Sequence, residues 1–480
     1  MTTVVEIPLW LLVLALALSA VAAADRVLGP TLRWYLRRRM ERVVAKLNTR
    51  LQRPIEPFKL MRRQDRIVRL VFDPAVMQAV ADHAAQTGMP QNVVVEEARA
   101  YAREIVPGFS ASLYFGFATR SARALSRVLY RVRLGKLSEE LDGIDPQATV
   151  IFVINHRSNM DYVLVTWLVA RRGALSYAVG EWARVWPLSV LIRAMGAYFI
   201  RRQSRNALYR KVLARYVQMA TAEGITQAVF PEGGLSLDGR VGAARMGLLH
   251  YIVSGFDPAG RDVVFVPVGL AYDRVLEDGL LIRAAQTGQR RFRPRLWRVG
   301  WEALRIATKR AGGRYFLFGT AAAGFGPPQS LRAHLKAGGE VETLGVALMA
   351  EVEKAVPILP VPLIAASIVT GRTEEDLVAQ LQVRGAVLKL PPAGIGQARN
   401  EARATLVSRG VLDAAGAVRP GQEALLEFYA AAGPPAARSD FCNAADIKLQ
   451  NFGYNYCNIA QSDIIKGRKP LRFCDAASRM

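Results

Sequence analysis

The chain reads as an α/β fold: a central mixed sheet flanked by helices, preceded by an N-terminal membrane helix and a helical region. Three observations carry that expectation. From Thr149 onward, short apolar runs alternate with helical stretches, as expected of helices packed on a sheet. Before them lie segments rich in helix formers with mixed polar and apolar spacing. The chain opens on an uncharged apolar run, Ile7 to Ala24, about long enough to cross a bilayer.

That opening run is followed by Arg33, Arg37, Arg38, Arg39 and Arg42, interleaved with Trp34, Tyr35 and Leu36. Positive charge just past a span favours the cytoplasmic side. A cleaved signal peptide is the competing reading. The residues before the run contain Glu6 and no Lys or Arg, whereas a signal peptide wants a basic start. An uncleaved anchor in the cell (inner) membrane, with the main domain cytoplasmic, is therefore expected. The basic segment suits anionic membrane lipids.

Five regions follow from these shifts in texture: anchor and basic stalk over 1–55, a helical region over 56–145, and a main domain over 146–370. A C-terminal helical region over 371–438 and a tail over 439–480 complete the chain. Within 56–145, "DPAVMQAVADHAAQ" and "VVVEEARAYAREIV" are the helical stretches. Candidate strands are 149–154, 174–179, 197–200, 226–230 and 262–268. Between two of them, 207–222 reads as an amphipathic helix with Leu208, Val212, Tyr216 and Met219 on one stripe. The tail follows the Pro-rich "AAGPPAARS" and supports no assignment of structure or chemistry.

Composition limits the partners. Apolar residues make up 51% and charged residues 22% of the 480 residues, which fits an ordered protein. Sixty-four Lys and Arg against forty Asp and Glu give +24, so anionic partners are expected. The three Cys, at 442, 457 and 474, have no metal-ligand spacing, so neither a zinc site nor a disulfide framework is expected.

Only four His occur, and one sits in "NHRSNMD", residues 155–161. With a buried strand before it and a helix after it, NHRSNM is a turn. On a continuous helix His156 and Asp161 would diverge. With His156 in the turn and Asp161 in the first helical turn, the carboxylate can fold back to the imidazole. It would then hold one ring N–H and leave the other nitrogen as a base. The plain alternative is a helix-start Asp and an ordinary turn histidine.

"NHRSNMDYVLV" resembles the first motif of the membrane-bound glycerol-3-phosphate acyltransferases, within the phospholipid/glycerol acyltransferase superfamily. "GAYFIRR" (196–202), "FPEGGLSLDGR" (230–240) and "VFVPVGLAYD" (264–273) resemble the second, third and fourth motifs. All four stand in family order. Weaker echoes, "FG" with "SL" (325–331) and "LPVPL" (359–363), extend the likeness.

The resemblance implies transfer of a fatty acyl group from a thioester, acyl-CoA or acyl carrier protein, to the hydroxyl of glycerol 3-phosphate. It implies His156 as general base, oriented by Asp161. Arg157, Ser158, Gly196, Arg202, Glu232, Gly233, Gly234 and Ser236 would serve the substrate, and Val266 and Pro267 would line the acyl region. Neither metal nor cofactor is called for, and "PEGG" without a following Gly-Lys-Ser/Thr is not a nucleotide loop, so ATP is not implied.

One departure matters. Where the family usually carries Arg after Glu-Gly, this chain has Leu235, Ser236 and Leu237. Arg157, Arg240 or Arg245 could supply the missing charge. Lysophosphatidate or another lysolipid is the alternative acceptor. A catalytically silent basic protein that binds anionic lipid or nucleic acid is the alternative of another class, with no nucleic acid expected on the lead reading.

Overall fold

The computed structural model describes the chain except for residues 1–7, 52, 135–141, 171–172, 181–187, 202–203, 205, 289–317, 384 and 433–480. Side chains of 18, 20–34, 36, 37 and 40 in the first helix, and of 134 and 188, are also outside the description. The described chain divides into two compact units. One comprises 1–236, 241–270 and 290–355; the other comprises 237–240, 271–289 and 356–480.

Among the described residues, the first unit is built on an eight-stranded sheet. Its strands are β1 (Arg131–Leu134), β2 (Thr149–Ile154), β3 (Ser176–Val179), β4 (Tyr198–Phe199) and β5 (Gln227–Val229). Then come β6 (Val263–Tyr272), β7 (Thr320–Phe325) and β8 (Gln329–Ser330). The order is β1-β7-β6-β2-β5-β3-β4, with β8 added antiparallel to β6. β2 runs parallel to both of its neighbours, with Phe152 beside Ala228 of β5 and Val266 of β6. Every residue of β2 and β6 is buried, hence their near-continuous apolar sequence. The expected mixed sheet with helices is present.

Pro267 lies inside β6, where a proline normally disrupts a ladder. Its carbonyl accepts from Gly326 N at 2.9 Å, just beyond β7. A strand residue turns its nitrogen and its carbonyl to the same neighbour, so the missing N–H faces β7. The β2 side of the strand keeps its donors.

Helices Pro74–Thr87, Gln91–Ile105 and Ala207–Ala222 pack against one another. Asp73 caps the first of them by accepting Ala75 N, and Asn206 caps the last by accepting Tyr209 N. Leu208, Val212, Tyr216 and Met219 are all buried, while Arg210 and Lys211 are exposed, which matches the stripe read from sequence. Thr149–Ile154 is the expected strand to the residue. β1 corrects the helical reading of 56–145. Its four residues gain strand geometry only by pairing with β7, about 190 residues later, a long-range contact that local propensity does not encode.

The first helix runs Leu9–Asn48, and Leu9, Trp10, Val13 and Leu16 at its start are exposed. Among the described residues no helix is long and apolar enough to cross a membrane. The expected span over 7–24 falls partly outside the described side chains. The three Cys and the tail lie wholly outside the described residues.

In the second unit, helices Asp278–Thr287, Pro360–Thr370, Ile395–Ser408 and Glu423–Ala430 gather around a polar knot. Tyr429 donates to Asp278 Oδ2 at 2.6 Å and accepts Val275 N at 2.9 Å, and Arg409 pairs with Asp278.

Candidate active site

β2 and β5 are adjacent and parallel, so the segments leaving their carboxyl ends meet at one edge of the sheet. That edge is where open α/β sheets bind ligands. Residues 155–161 leave β2 and residues 230–236 leave β5.

Helix Met160–Val169 starts directly after the turn and places Asp161 in its first turn. Asp161 Oδ2 lies 2.9 Å from His156 Nδ1. The same oxygen accepts Arg157 N at 2.7 Å and Ser158 N at 3.0 Å. An oxygen already accepting two N–H groups is an acceptor for the ring as well. Nδ1 therefore carries the hydrogen, and Nε2 keeps its lone pair. His156 and Asp161 are 2% and 0% exposed, so little water competes for the pair. Asp161 is thus more than a helix-start residue: it folds back on the turn and fixes both backbone and ring.

Aromatic rings define the plane of the imidazole. Phe230 lies at 4.5 Å, tilted by 34°, and Tyr162 stands edge-on at 5.4 Å. Tyr162 also packs on Tyr177 of β3 at 5.2 Å.

The third motif closes onto the first. Glu232 Oε1 accepts His156 N at 2.9 Å, and Ser236 N donates to His156 O at 2.8 Å. Burial pushes the Glu232 carboxyl up to about 7, aided by Asp161. The N–H donors of His156 and Gly242 and the Arg157 guanidinium pull the other way. Gly233 has φ +67 and donates its N–H to Phe230 O. A Cβ there would stand 2.7 Å from Arg245 Cδ, so the Arg245 side chain lies over this turn. Gly234 and Leu235 continue the turn, half-buried.

The structure therefore brings together His156, Asp161, Arg157, Ser158, Glu232, Gly233 and Ser236. Ser158 Oγ accepts the Met160 N–H, which braces the turn. Val266 and Pro267 lie in β6 beside Phe152 and Val153 of β2. Gly196 lies elsewhere. It precedes β4 with φ +91, and a Cβ on it would meet Phe109 Cδ2 at 3.2 Å and Lys59 Cε at 3.3 Å. Arg202 lies outside the described residues. Arg240 sits in the other unit, exposed, with its N–H on Asp238.

Two supports escaped the sequence reading. Asn155 exchanges two hydrogen bonds with Leu270, Nδ2 to the carbonyl at 3.0 Å and the Leu270 N–H to Oδ1 at 2.7 Å. Its amide continues the β2–β6 pairing past the end of β2. Phe230 is the other. Its position beside Pro-Glu-Gly at the end of a predicted strand was the available signal.

Residues 137–271 match the model of the Acyltransferase family, which supports the phospholipid/glycerol acyltransferase reading of this stretch. Among curated proteins, a glycerol-3-phosphate acyltransferase of Xylella fastidiosa (strain M23) is 28% identical over 283 residues, 57% of this chain and 32% of that protein. One from Pseudomonas entomophila (strain L48) is 32% identical over 219 residues, 45% of this chain and 26% of that protein. The Xanthomonas campestris pv. campestris protein of the same name is 26% identical over 377 residues, 72% of this chain and 41% of that one. The matched stretch thus spans between about a quarter and two-fifths of these relatives' length. A crystal structure of a 1-acyl-sn-glycerophosphate (LPA) acyltransferase from Thermotoga maritima covers 60% of this chain and 98% of that one. It is 20% identical with a TM-score of 0.29, a likeness too slight to carry weight.

Proposed function

We propose that this chain moves a fatty acyl group from an acyl thioester to the hydroxyl of glycerol 3-phosphate, giving lysophosphatidate for phospholipid synthesis. The observation that carries the reading is the 2.9 Å His156–Asp161 contact, with the carboxylate oxygen pinned by two backbone N–H groups. Nε2 of His156 takes the proton of the acceptor hydroxyl as its oxygen attacks the thioester carbonyl carbon. The carbon–sulfur bond then breaks, and the leaving thiolate takes that proton from the imidazolium. No protein nucleophile is needed, because the acceptor itself supplies the attacking oxygen. The donor is acyl-CoA or acyl carrier protein.

Phosphate recognition rests on the third-motif turn. Gly233 and Gly234 can offer backbone donors. Arg245 over Gly233 supplies charge where Leu235 and Leu237 have replaced the family's Arg residues. Arg202 is assigned by resemblance. The two leucines favour a second reading, in which a lysolipid such as lysophosphatidate is the acceptor. The exposed apolar start of helix Leu9–Asn48 supports anchoring at the cell membrane with the catalytic domain on the cytoplasmic side.

The test is an acylation assay with purified full-length protein, offering glycerol 3-phosphate, lysophosphatidate and plain glycerol separately with each donor. Preference for glycerol 3-phosphate supports the lead reading, and preference for lysophosphatidate supports the second. Equal turnover of glycerol and glycerol 3-phosphate removes the phosphate site.

A further inference from the structure

Arg201, the first of the two arginines that close "GAYFIRR", commits its guanidinium to the protein itself. Nε lies 3.0 and 3.2 Å from the two carboxylate oxygens of Glu104, and Nη2 donates to one of them at 2.7 Å. The guanidinium also sits 5.4 Å from the Tyr101 ring and 5.3 Å from the Tyr209 ring. Those two rings meet edge to face at 5.3 Å. The Arg201 backbone N–H donates to the Tyr209 hydroxyl at 2.9 Å. Asn206 completes the clamp. Its Nδ2 donates to Tyr101 Oη at 3.0 Å and Glu97 Oε1 at 3.3 Å, while its Oδ1 caps helix Ala207–Ala222.

A fork on a carboxylate, set against aromatic rings, uses the planar geometry of arginine and is not open to lysine. The Glu104 side chain is only 13% exposed, which sets the pair apart from a solvated surface ion pair.

Topology gives the clamp its place. β4, β3, β5 and β2 all run parallel, so the chain leaving β4 emerges on the same edge of the sheet as His156 and Glu232. The Ile200 N–H still bonds Val179 O at 2.9 Å, and the clamp takes over at the next residue. Two successive anchors thus set where the chain after β4 begins. Glu104 and Tyr101 belong to helix Gln91–Ile105, which lies wholly before the family-matched stretch 137–271.

We infer that Arg201 is a positioning residue for the acceptor, and that Glu104 brings the N-terminal helical region into acceptor binding. The inference rests on the reading above, in which the second motif serves a phosphorylated acceptor. With its Nε–Nη2 edge on Glu104, Arg201 acts through the backbone that it fixes at the catalytic edge. An ion pair that only stiffened the fold would change stability without preference between substrates.

Steady-state acylation by the purified full-length protein tests this at a temperature where all variants are folded. KM is measured separately for the thioester and for the preferred phosphorylated acceptor, glycerol 3-phosphate or lysophosphatidate. Glu104→Gln keeps the shape of the carboxylate and removes its charge, whereas Arg201→Lys keeps the charge and removes the fork. Each is expected to raise the acceptor KM by about three- to tenfold, with kcat and the thioester KM within about twofold of wild type. The double variant should be no worse than the worse single one, because both break one contact. Arg69→Ala is the control. It breaks the 2.7 Å Arg69–Glu223 ion pair at the other end of helix Ala207–Ala222 and should leave every constant unchanged. Should either clamp variant not fold, Glu104→Asp is the milder substitute and should move the acceptor KM in the same direction. A wild type that acylates no phosphorylated acceptor removes the underlying reading and this inference with it. An active wild type whose clamp variants lower only Tm, or raise both KM values together, overturns the inference and leaves that reading standing.

Discussion

Asp161 Oδ2 binds His156 Nδ1 and the two backbone N–H groups that follow His156 in the chain. One oxygen therefore sets both the shape of the turn and the tautomer of its ring. Asp161→Asn would put an amide where three donors converge, so the ring loses the partner that holds Nδ1–H. Turnover should fall by about 10²–10⁴-fold with KM little changed, and His156→Ala should lose at least about a hundredfold. Steady-state acylation kinetics on folded protein would settle it. A loss confined to KM sinks the base assignment.

Glu232 predicts a pH signature. Its carboxyl is pushed up to about 7 from an ordinary 4.5, so the folded protein binds a proton there that the unfolded chain has lost. Below about pH 4.5 both states are protonated and the group contributes nothing. Stability then declines as pH rises towards 7 and levels off above it. Glu232→Gln keeps an oxygen for His156 N and removes the titration. Wild type should lose up to about 2–3 kcal/mol more than this variant between pH 5 and pH 8. Urea melts at both values check it. Parallel pH dependence in the two proteins would contradict the assignment.

Much of the site was legible because its spacing encodes its geometry. Strand, turn and helix around 149–169 come from an apolar run, polar turn residues and a second apolar run, and the fold-back of Asp161 follows from that order. Arg245 over Gly233 was legible only as one of several candidate cations, since sequence does not say which side chain drapes over a turn. Gly196 lies just before β4, and its motif does not say which end of that strand it occupies. β1 was invisible because its partner, β7, is distant in sequence. Glu104 drew no notice as the partner of Arg201, since pairing between distant elements is a tertiary property.

Gly233→Ala separates backbone strain from contact. The position has φ +67, and a new Cβ would press on the far part of a flexible side chain, Arg245 Cδ, at 2.7 Å. The left-handed conformation costs a non-glycine residue roughly 1–2 kcal/mol, and Arg245 must move aside. The expected outcome is a modest fall in Tm with a larger rise in KM for the phosphorylated acceptor than for the thioester. If both KM values are unchanged, the turn does not serve the acceptor.

Membrane attachment is tested by deleting residues 1–30. The exposed apolar start of the first helix is lost in that variant, so fractionation should move much of the protein from membrane to supernatant. Full retention would assign attachment to another surface.

Asn155 tests whether the turn depends on the sheet beneath it. Its side chain satisfies both the N–H and the carbonyl of Leu270, and both residues are fully buried. Asn155→Ala would leave two buried backbone groups without partners, at a cost of about 1–3 kcal/mol each. Some of that is recovered if β6 relaxes, so a loss of roughly 2–4 kcal/mol in urea unfolding is expected. Asn155→Asp should not rescue it. One carboxylate oxygen can still accept the Leu270 N–H, but the other would face the Leu270 carbonyl, acceptor against acceptor. Because His156 is the next residue, both variants should also lower turnover at temperatures where they remain folded. Wild-type stability in Asn155→Ala would mean that the β2–β6 pairing ends at Ile154 and that the turn is held from the Asp161 side alone.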